Sequence, residues 1–132
     1  MAGEPTTAGA NKMLDALTGR ATQTSQTTYL ALLSGVTDGD AGTVTELAAG
    51  NGYARQSVAW DAPTGDPSST DNTSLITFGA FTTDFAQVTH LGLYDASTAG
   101  SLLAFWTVDT PKDPANGDSI TVAAGALVMT AD

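Results

Sequence analysis

The hydrophobic pattern changes period once along the chain. In ANKMLDALTGR, Ala10, Met13, Leu14 and Leu17 fall on one side of a helix and Gly19 supplies a stop. A helix this short is marginal in isolation, so its apolar side is expected to pack on the remainder. From residue 27 the pattern turns to period two. TTYLALLS predicts a strand through Tyr29 to Leu33. GNGYARQSVAW alternates, with Ala54, Gln56, Val58 and Trp60 on one side and Tyr53, Arg55, Ser57 and Ala59 on the other. SLITFGAF predicts a strand from Leu75 to Phe78, and QVTHLGLYD predicts another. SLLAFWTV is the return of that strand across the turn ASTAG. SITVAAGALVMT predicts two short strands broken near Gly125. The stretches between them, GVTDGDAGTV, DAPTGDPSSTDNTS (61–74) and DTPKDPANGD, are rich in Gly, Pro, Asp and Asn and read as turns and loops.

Many short strands with turn signals between them, and a single helix, predict an all-β fold. The form expected is a small β-sandwich or barrel with one short N-terminal helix and an extended N-terminal arm. Residues 1–10 are read as the arm and residues 11–132 as a single β-domain that begins with the helix. No internal repeat is found. At 132 residues the chain is long enough for a core that needs no staples. An apolar content of 42% separates it from a solvated acidic tail.

The formal net charge is −10, from 14 acids against four cations, Lys12, Arg20, Arg55 and Lys112. Neutralising phosphates takes Lys and Arg, so neither nucleic acid nor an anionic membrane is an expected partner. There is no cysteine, which excludes disulfides, thiol catalysis and thiolate metal sites. The opening MAGEPTTAGANK has no basic stretch followed by an apolar one, and no apolar run reaches ~18 residues. A soluble protein without a membrane span is the expectation.

Candidate chemistry is sparse. His90, the one histidine, lies in VTHLGLY, where Val88, His90, Gly92 and Tyr94 should share one face and Leu91 and Leu93 the core face. It has no nucleophile elbow, no Cys and no second His to work with, so a strand histidine bonded to a neighbour is the simpler reading. Asp38 and Asp40 suggest a calcium loop. Counting from Asp38, however, position 5 is Gly42 and position 12 is Ala49, so the ligand pattern fails and turn chemistry is left. Twelve of the 14 acids are Asp in turn-like settings, and no pair is singled out for glycoside hydrolysis. AAGNGYA lacks the Lys of a phosphate loop. Trp60, Trp106, Tyr53 and Tyr94 offer stacking faces for a glycan, against the plainer reading of core or interface anchors. No catalytic, cofactor or metal site is predicted.

From about residue 11 the chain resembles a family of short tailed-phage virion structural proteins, often labelled tail-fibre-like. The residues that carry the resemblance are Gly52-Tyr53-Ala54-Arg55, the run Val88 to Asp95 around His90, Gly100 with Leu102 and Leu103, Thr110-Pro111-Lys112, and Gly117-Asp118 leading to Ala123-Ala124-Gly125. The arm and the 61–74 loop lie outside it. The resemblance implies a virion protein without enzyme activity, made in the host cytoplasm and assembled on the particle. A compact acidic domain with an arm suits capsid decoration, a cement protein that binds the major capsid protein and stabilises the assembled head. A homo-oligomer, with a trimer favoured, would multiply such contacts by avidity. The alternative is a tail-tip or tail-fibre module that contacts tail proteins and binds a host surface glycan. The interface residues expected are Glu4, Pro5, Thr6 and Thr7 in the arm, the cations Lys12, Arg20 and Arg55, and Pro63 and Pro67 in the long loop.

Overall fold

A computed structural model describes residues 1–22 and 24–131 of the protein. Strand β1 (Glu4–Pro5) leads into helix α1 (Thr7–Leu17). Nine strands follow: β2 (Thr28–Asp38), β3 (Thr43–Glu46), β4 (Gln56–Val58), β5 (Ser68–Asp71), β6 (Ile76–Gly79), β7 (Val88–Tyr94), β8 (Leu102–Lys112), β9 (Ser119–Val122) and β10 (Val128–Ala131). The main sheet is antiparallel in the order β1-β8-β7-β2. Strands β3 and β4 share the far edge of β2, β4 against Thr28–Leu30 and β3 against Leu33–Asp38. β5 pairs with β10 and β6 with β9 as separate two-stranded ladders.

The fold is mostly β with one short helix, but the sandwich or barrel expected from the sequence does not form. The main sheet stays open, because β1 at one edge never meets β3 or β4 at the other. The remaining strands make two short ladders rather than a second sheet. The reason lies in the segments themselves. β5, β6, β9 and β10 are four residues each, and Pro, Gly and Asp between them end each pairing before it can spread. Period-two patterning tells which side of a strand is buried, not which strand lies beside it.

Register explains the core. Leu30 lies opposite Leu93 and Leu93 opposite Ala104; Leu32 lies opposite Leu91 and Leu91 opposite Trp106. These side chains therefore form rows on one face. They pack with Ile76, Phe78, Phe81, Val122 and Leu127 contributed by the ladders and their loops. The predicted separation of Leu91 and Leu93 from His90 and Tyr94 holds. Val88 does not follow it, because an irregularity in the β7–β8 register between Val88 and His90 turns Val88 into the leucine-side core. The opposite face carries a smaller cluster of Ala31, Leu33, Tyr94 and Leu102, with Val36 and Val44 against it.

The extended arm is also corrected. The amino group of Met1 donates to Ala126 O at 2.9 Å, Val128 N–H donates to Met1 O at 2.9 Å, and Gly3 N–H donates to Val128 O at 2.7 Å. Glu4 and Pro5 then pair with Phe105 and Ala104 of β8. The segment is thus a seam between β10 and β8. Buried Thr6 caps α1: its Oγ1 accepts from Gly9 N–H at 3.2 Å and donates to Leu102 O at 2.6 Å. This cap starts the helix at Thr7, three residues before the apolar pattern begins. Gly19, in the left-handed region at φ 72°, ends it as expected.

The helix rests on β8 through Gly9, where an added Cβ would run into the carbonyl of Leu103. Met13, Leu14 and Leu17 are exposed, contrary to the expectation that they are buried. Gly9→Ala should therefore destabilise the fold by roughly 2 kcal/mol, as overpacking does, although Ala normally gains about 1 kcal/mol over Gly inside a helix. Gly35→Ala, where a Cβ meets nothing within 4 Å, should stay within about 0.5 kcal/mol of wild type. Urea unfolding midpoints of the two variants check both signs.

Candidate functional site

The densest polar cluster joins three segments. Arg55, just before β4, forks onto Glu46 at the end of β3, with Nε to Oε1 at 2.9 Å and Nη2 to Oε2 at 2.7 Å. Its Nη1 donates to the carbonyls of Ala96 (2.9 Å) and Ala99 (2.8 Å) in the β7–β8 turn. The guanidinium lies 3.5 Å from the centroid of the Tyr94 ring. Tyr53 Oη donates to Glu46 Oε1 at 2.7 Å and accepts from Leu32 N–H at 3.2 Å. The alternation in GNGYARQSVAW placed Tyr53 and Arg55 on one side, and both converge on Glu46.

Burial pushes the Glu46 carboxyl up, but the bonds from Arg55 and Tyr53 outweigh it and hold the group below its ordinary value. Burial, then the bond to Glu46, raises the Tyr53 phenol far above its usual range, so it remains a donor. The bond to Glu46 raises Arg55 further. Four of the five guanidinium N–H groups are spent on protein acceptors, which leaves no fork for an anion. A cavity of about 210 Å³ adjoins this cluster, lined by Glu46, Ala49, Arg55 and Ser97 to Ala99. None of these groups is an activated nucleophile or a base aimed into it. The cluster is a structural lock on the turn.

The same turn is gripped from the other side. Lys12 Nζ lies 3.3 Å from Asp95 Oδ2 and donates to Gln26 Oε1 at 3.2 Å, and Gln26 Nε2 donates to Asp95 O at 3.0 Å. The Ser101 N–H, bonding Asp95 Oδ1 at 2.7 Å, is the main cause of a carboxyl held below its ordinary value. Two of the expected interface cations, Lys12 and Arg55, are thus brought to one turn and bonded there. Arg20 pairs with Asp15 at 3.0 Å on the exposed end of α1. Glu4 and Pro5 are exposed on β1, Thr6 is buried, and Thr7 is exposed while its N–H donates to Asp40 O at 2.9 Å. Pro63 and Pro67 are exposed in a loop that contains β5. Glu46 and Tyr94 were missed as partners of Arg55. The only signal for Glu46 was that it is one of two Glu among many Asp.

The remaining candidates resolve into structure. His90 is half-buried, its Nδ1 2.8 Å from Thr89 Oγ1 and its ring edge-on to Phe105; burial lowers its pKa below the ordinary value. Asp38 Oδ1 accepts from Ala41 N–H at 3.1 Å, the turn chemistry expected. Trp106, Tyr53 and Tyr94 are buried, and half-buried Trp60 stacks on Trp106, so these four rings offer no open platform for a sugar. A cavity of about 270 Å³ between β8 and β9 is lined mainly by aliphatic groups such as Val88, Leu91, Val108 and Ile120. Among the described residues no group of three or more His, Asp or Glu is placed to hold a metal ion.

The protein-family model described as "Podophage GP4 fiber I protein gp80" matches residues 4–130. That match includes the 61–74 loop and most of the supposed arm. No curated protein matches the chain.

Arg55→Ala should cost about 2–3 kcal/mol, the low side for a broken buried pair because Glu46 keeps some solvent contact. Arg20→Ala, which removes a surface pair, should cost at most about 0.5 kcal/mol. Denaturant midpoints separate the two. Because the folded-state pKa of Glu46 is depressed, its stabilisation is complete above its ordinary value of 4.5 and is lost as pH falls through the folded value. The stability gap between wild type and Glu46→Gln should be widest near neutral pH and close in acid. A gap that does not change with pH would contradict this.

Proposed function

The chain belongs to the podophage GP4 fiber I protein gp80 family, and from that premise we propose that it is a structural subunit of the phage fibre apparatus that works by contact rather than by chemistry. Membership in that family makes it a phage structural protein of the virion. The observation that carries the fibre reading is the extent of the match, residues 4–130, which spans every strand core from β1 to β10.

Two sequence-level ideas lose their support. Capsid decoration leaned on a free arm able to lie across neighbouring subunits of the major capsid protein, and residues 1–6 are engaged by β8 and β10 of their own chain. Glycan capture leaned on exposed aromatic faces, and the rings in question are buried or stacked together. What supports contact instead is the division of the surface. The polar clusters are self-satisfied, and among the described residues no buried side-chain polar atom lacks a partner. The partners in this reading are tail proteins. Copies of the chain act together, as a trimer, so that weak contacts sum through avidity.

Fractionation of particles checks the location. Mass spectrometry should find the protein with purified tails and fail to find it on heads from a lysate blocked in tail assembly. Its presence on tail-less heads at the copy number of a lattice protein would return the capsid reading and exclude this one.

A further inference from the structure

We infer that the Arg20–Ala21 peptide bond is where a trypsin-like protease cuts the folded chain, and that residues 1–20 stay in place after the cut as a non-covalent piece. The inference concerns processing; it goes beyond the proposed function and does not rest on it. A serine protease of this class takes Arg or Lys in its specificity pocket. Four bonds qualify by sequence, those after Lys12, Arg20, Arg55 and Lys112. Hydrolysis adds one water across the bond and leaves a carboxylate on Arg20 and an amine on Ala21. The enzyme draws several residues around the bond out of regular structure, so exposed connections are nicked first. Three of the four bonds do not meet that requirement. Lys12 lies inside α1. The Arg55 side chain is only 8% exposed and is bonded to Glu46, Ala96 and Ala99. Lys112 ends β8 opposite Val88, and just beyond it Phe85 N–H donates to Pro114 O at 2.8 Å. Arg20 differs in each respect. Its side chain is 78% exposed, and residues 18–22 and 24–27 are exposed and outside every helix and strand. The Arg20 and Ala21 N–H groups reach back to Asp15 O at 3.0 and 3.3 Å, a helix-end grip that opens locally at little cost.

The same structure keeps the cut piece. Residues 1–20 grip the rest of the molecule through contacts that do not run through the 18–27 connection. The backbone of Met1 bonds Ala126 and Val128, Gly3 N–H donates to Val128 O, and Glu4 and Pro5 pair with β8. Thr6 donates from its N–H to Leu103 O and from its Oγ1 to Leu102 O, and Thr7 N–H donates to Asp40 O. Lys12 pairs with Asp95, and Gly9 sits against the Leu103 carbonyl. The Met1 side chain packs on the main core. Arg20 has its ion-pair partner, Asp15, on the same piece, so that pair survives the cut. Retention also shields Lys12. Helix α1 has 11 residues, and a helix that short is marginal alone in water. A piece that left would unfold and be cut again after Lys12. An intact 1–20 product is therefore itself a sign that the piece is still docked.

Limited digestion of the full chain with trypsin tests both parts. Mass spectrometry under denaturing conditions should show two first products, residues 1–20 and 21–132, while the heat-unfolded chain is cut at all four sites. Native mass spectrometry of the same digest at about 10 μM, where a piece held with micromolar strength is still bound, should show the two products in one complex of the full mass plus one water. Arg20→Gln changes only a surface side chain and should slow loss of the full-length chain at least about tenfold, because the remaining sites wait for wider opening of the fold. A first cut after Lys12, Arg55 or Lys112 overturns the inference. So does a wild-type chain that resists trypsin as long as Arg20→Gln does. Residues 21–132 found alone under native conditions, or 1–12 and 13–20 appearing as fast as 1–20, would remove the retained piece.

Discussion

The indole of Trp106 is the joint on which the arrangement depends. It is fully buried on β8, directly opposite Leu91, and stacks on Trp60 with ring centroids 6.2 Å apart. Its Nε1–H donates to Val128 O at 3.1 Å, so the largest side chain of the core also ties the main sheet to the β5–β10 ladder. Burial of such a ring contributes on the order of 3–5 kcal/mol, a large share of the margin of a small domain. The N-terminal segment must pass over this ring. A Cβ on Gly3 would meet the indole at 2.7 Å, so only glycine lets residues 1–5 lie between β10 and β8. Trp106 thus ties the main sheet to the β5–β10 ladder without continuous strand pairing, and Ile76, Phe78 and Val122 bring the β6–β9 ladder into the same core.

A second constraint acts at the β7–β8 turn. The β7–β8 turn is held by Arg55 from one side and by Lys12 with Gln26 from the other, and both Asp95 and Glu46 act as acceptors for that purpose. Three of the chain's four cations are therefore bonded within the chain, Arg20 to Asp15 being the third.

The hairpin around His90 was legible because Leu91, Leu93 and Trp106 alternate cleanly and ASTAG between the strands can only turn. The mostly-β content followed for the same reason, but the sandwich or barrel did not, and β1 and β5 lie in stretches that read as arm and loop. The pairing of strands did not follow, since β5, β6, β9 and β10 are too short for their patterns to name a neighbour. Residues 1–10 look like an arm because Gly, Pro and Thr carry no periodicity. Their order comes from backbone bonds to Val128 and β8 that side-chain patterns do not encode. Val88 escaped its predicted face through a three-residue register shift on β8, where Val88 pairs with Lys112 but His90 with Thr107. Arg55 was read as a loose cation because Glu46, its partner, is nine residues back across a loop, with no helical or strand spacing to link them. The helix showed its apolar stripe in sequence, but that Gly9 rather than this stripe makes the close contact with β8 is a tertiary fact.

A cryo-electron microscopy reconstruction of the intact particle, at a resolution that shows side chains, tests the account most directly. It should place this chain in the tail fibre, with residues 1–6 lying along their own β8 and β10. Density for the chain on the capsid lattice, with its N-terminal segment extended onto a neighbouring subunit, would contradict it.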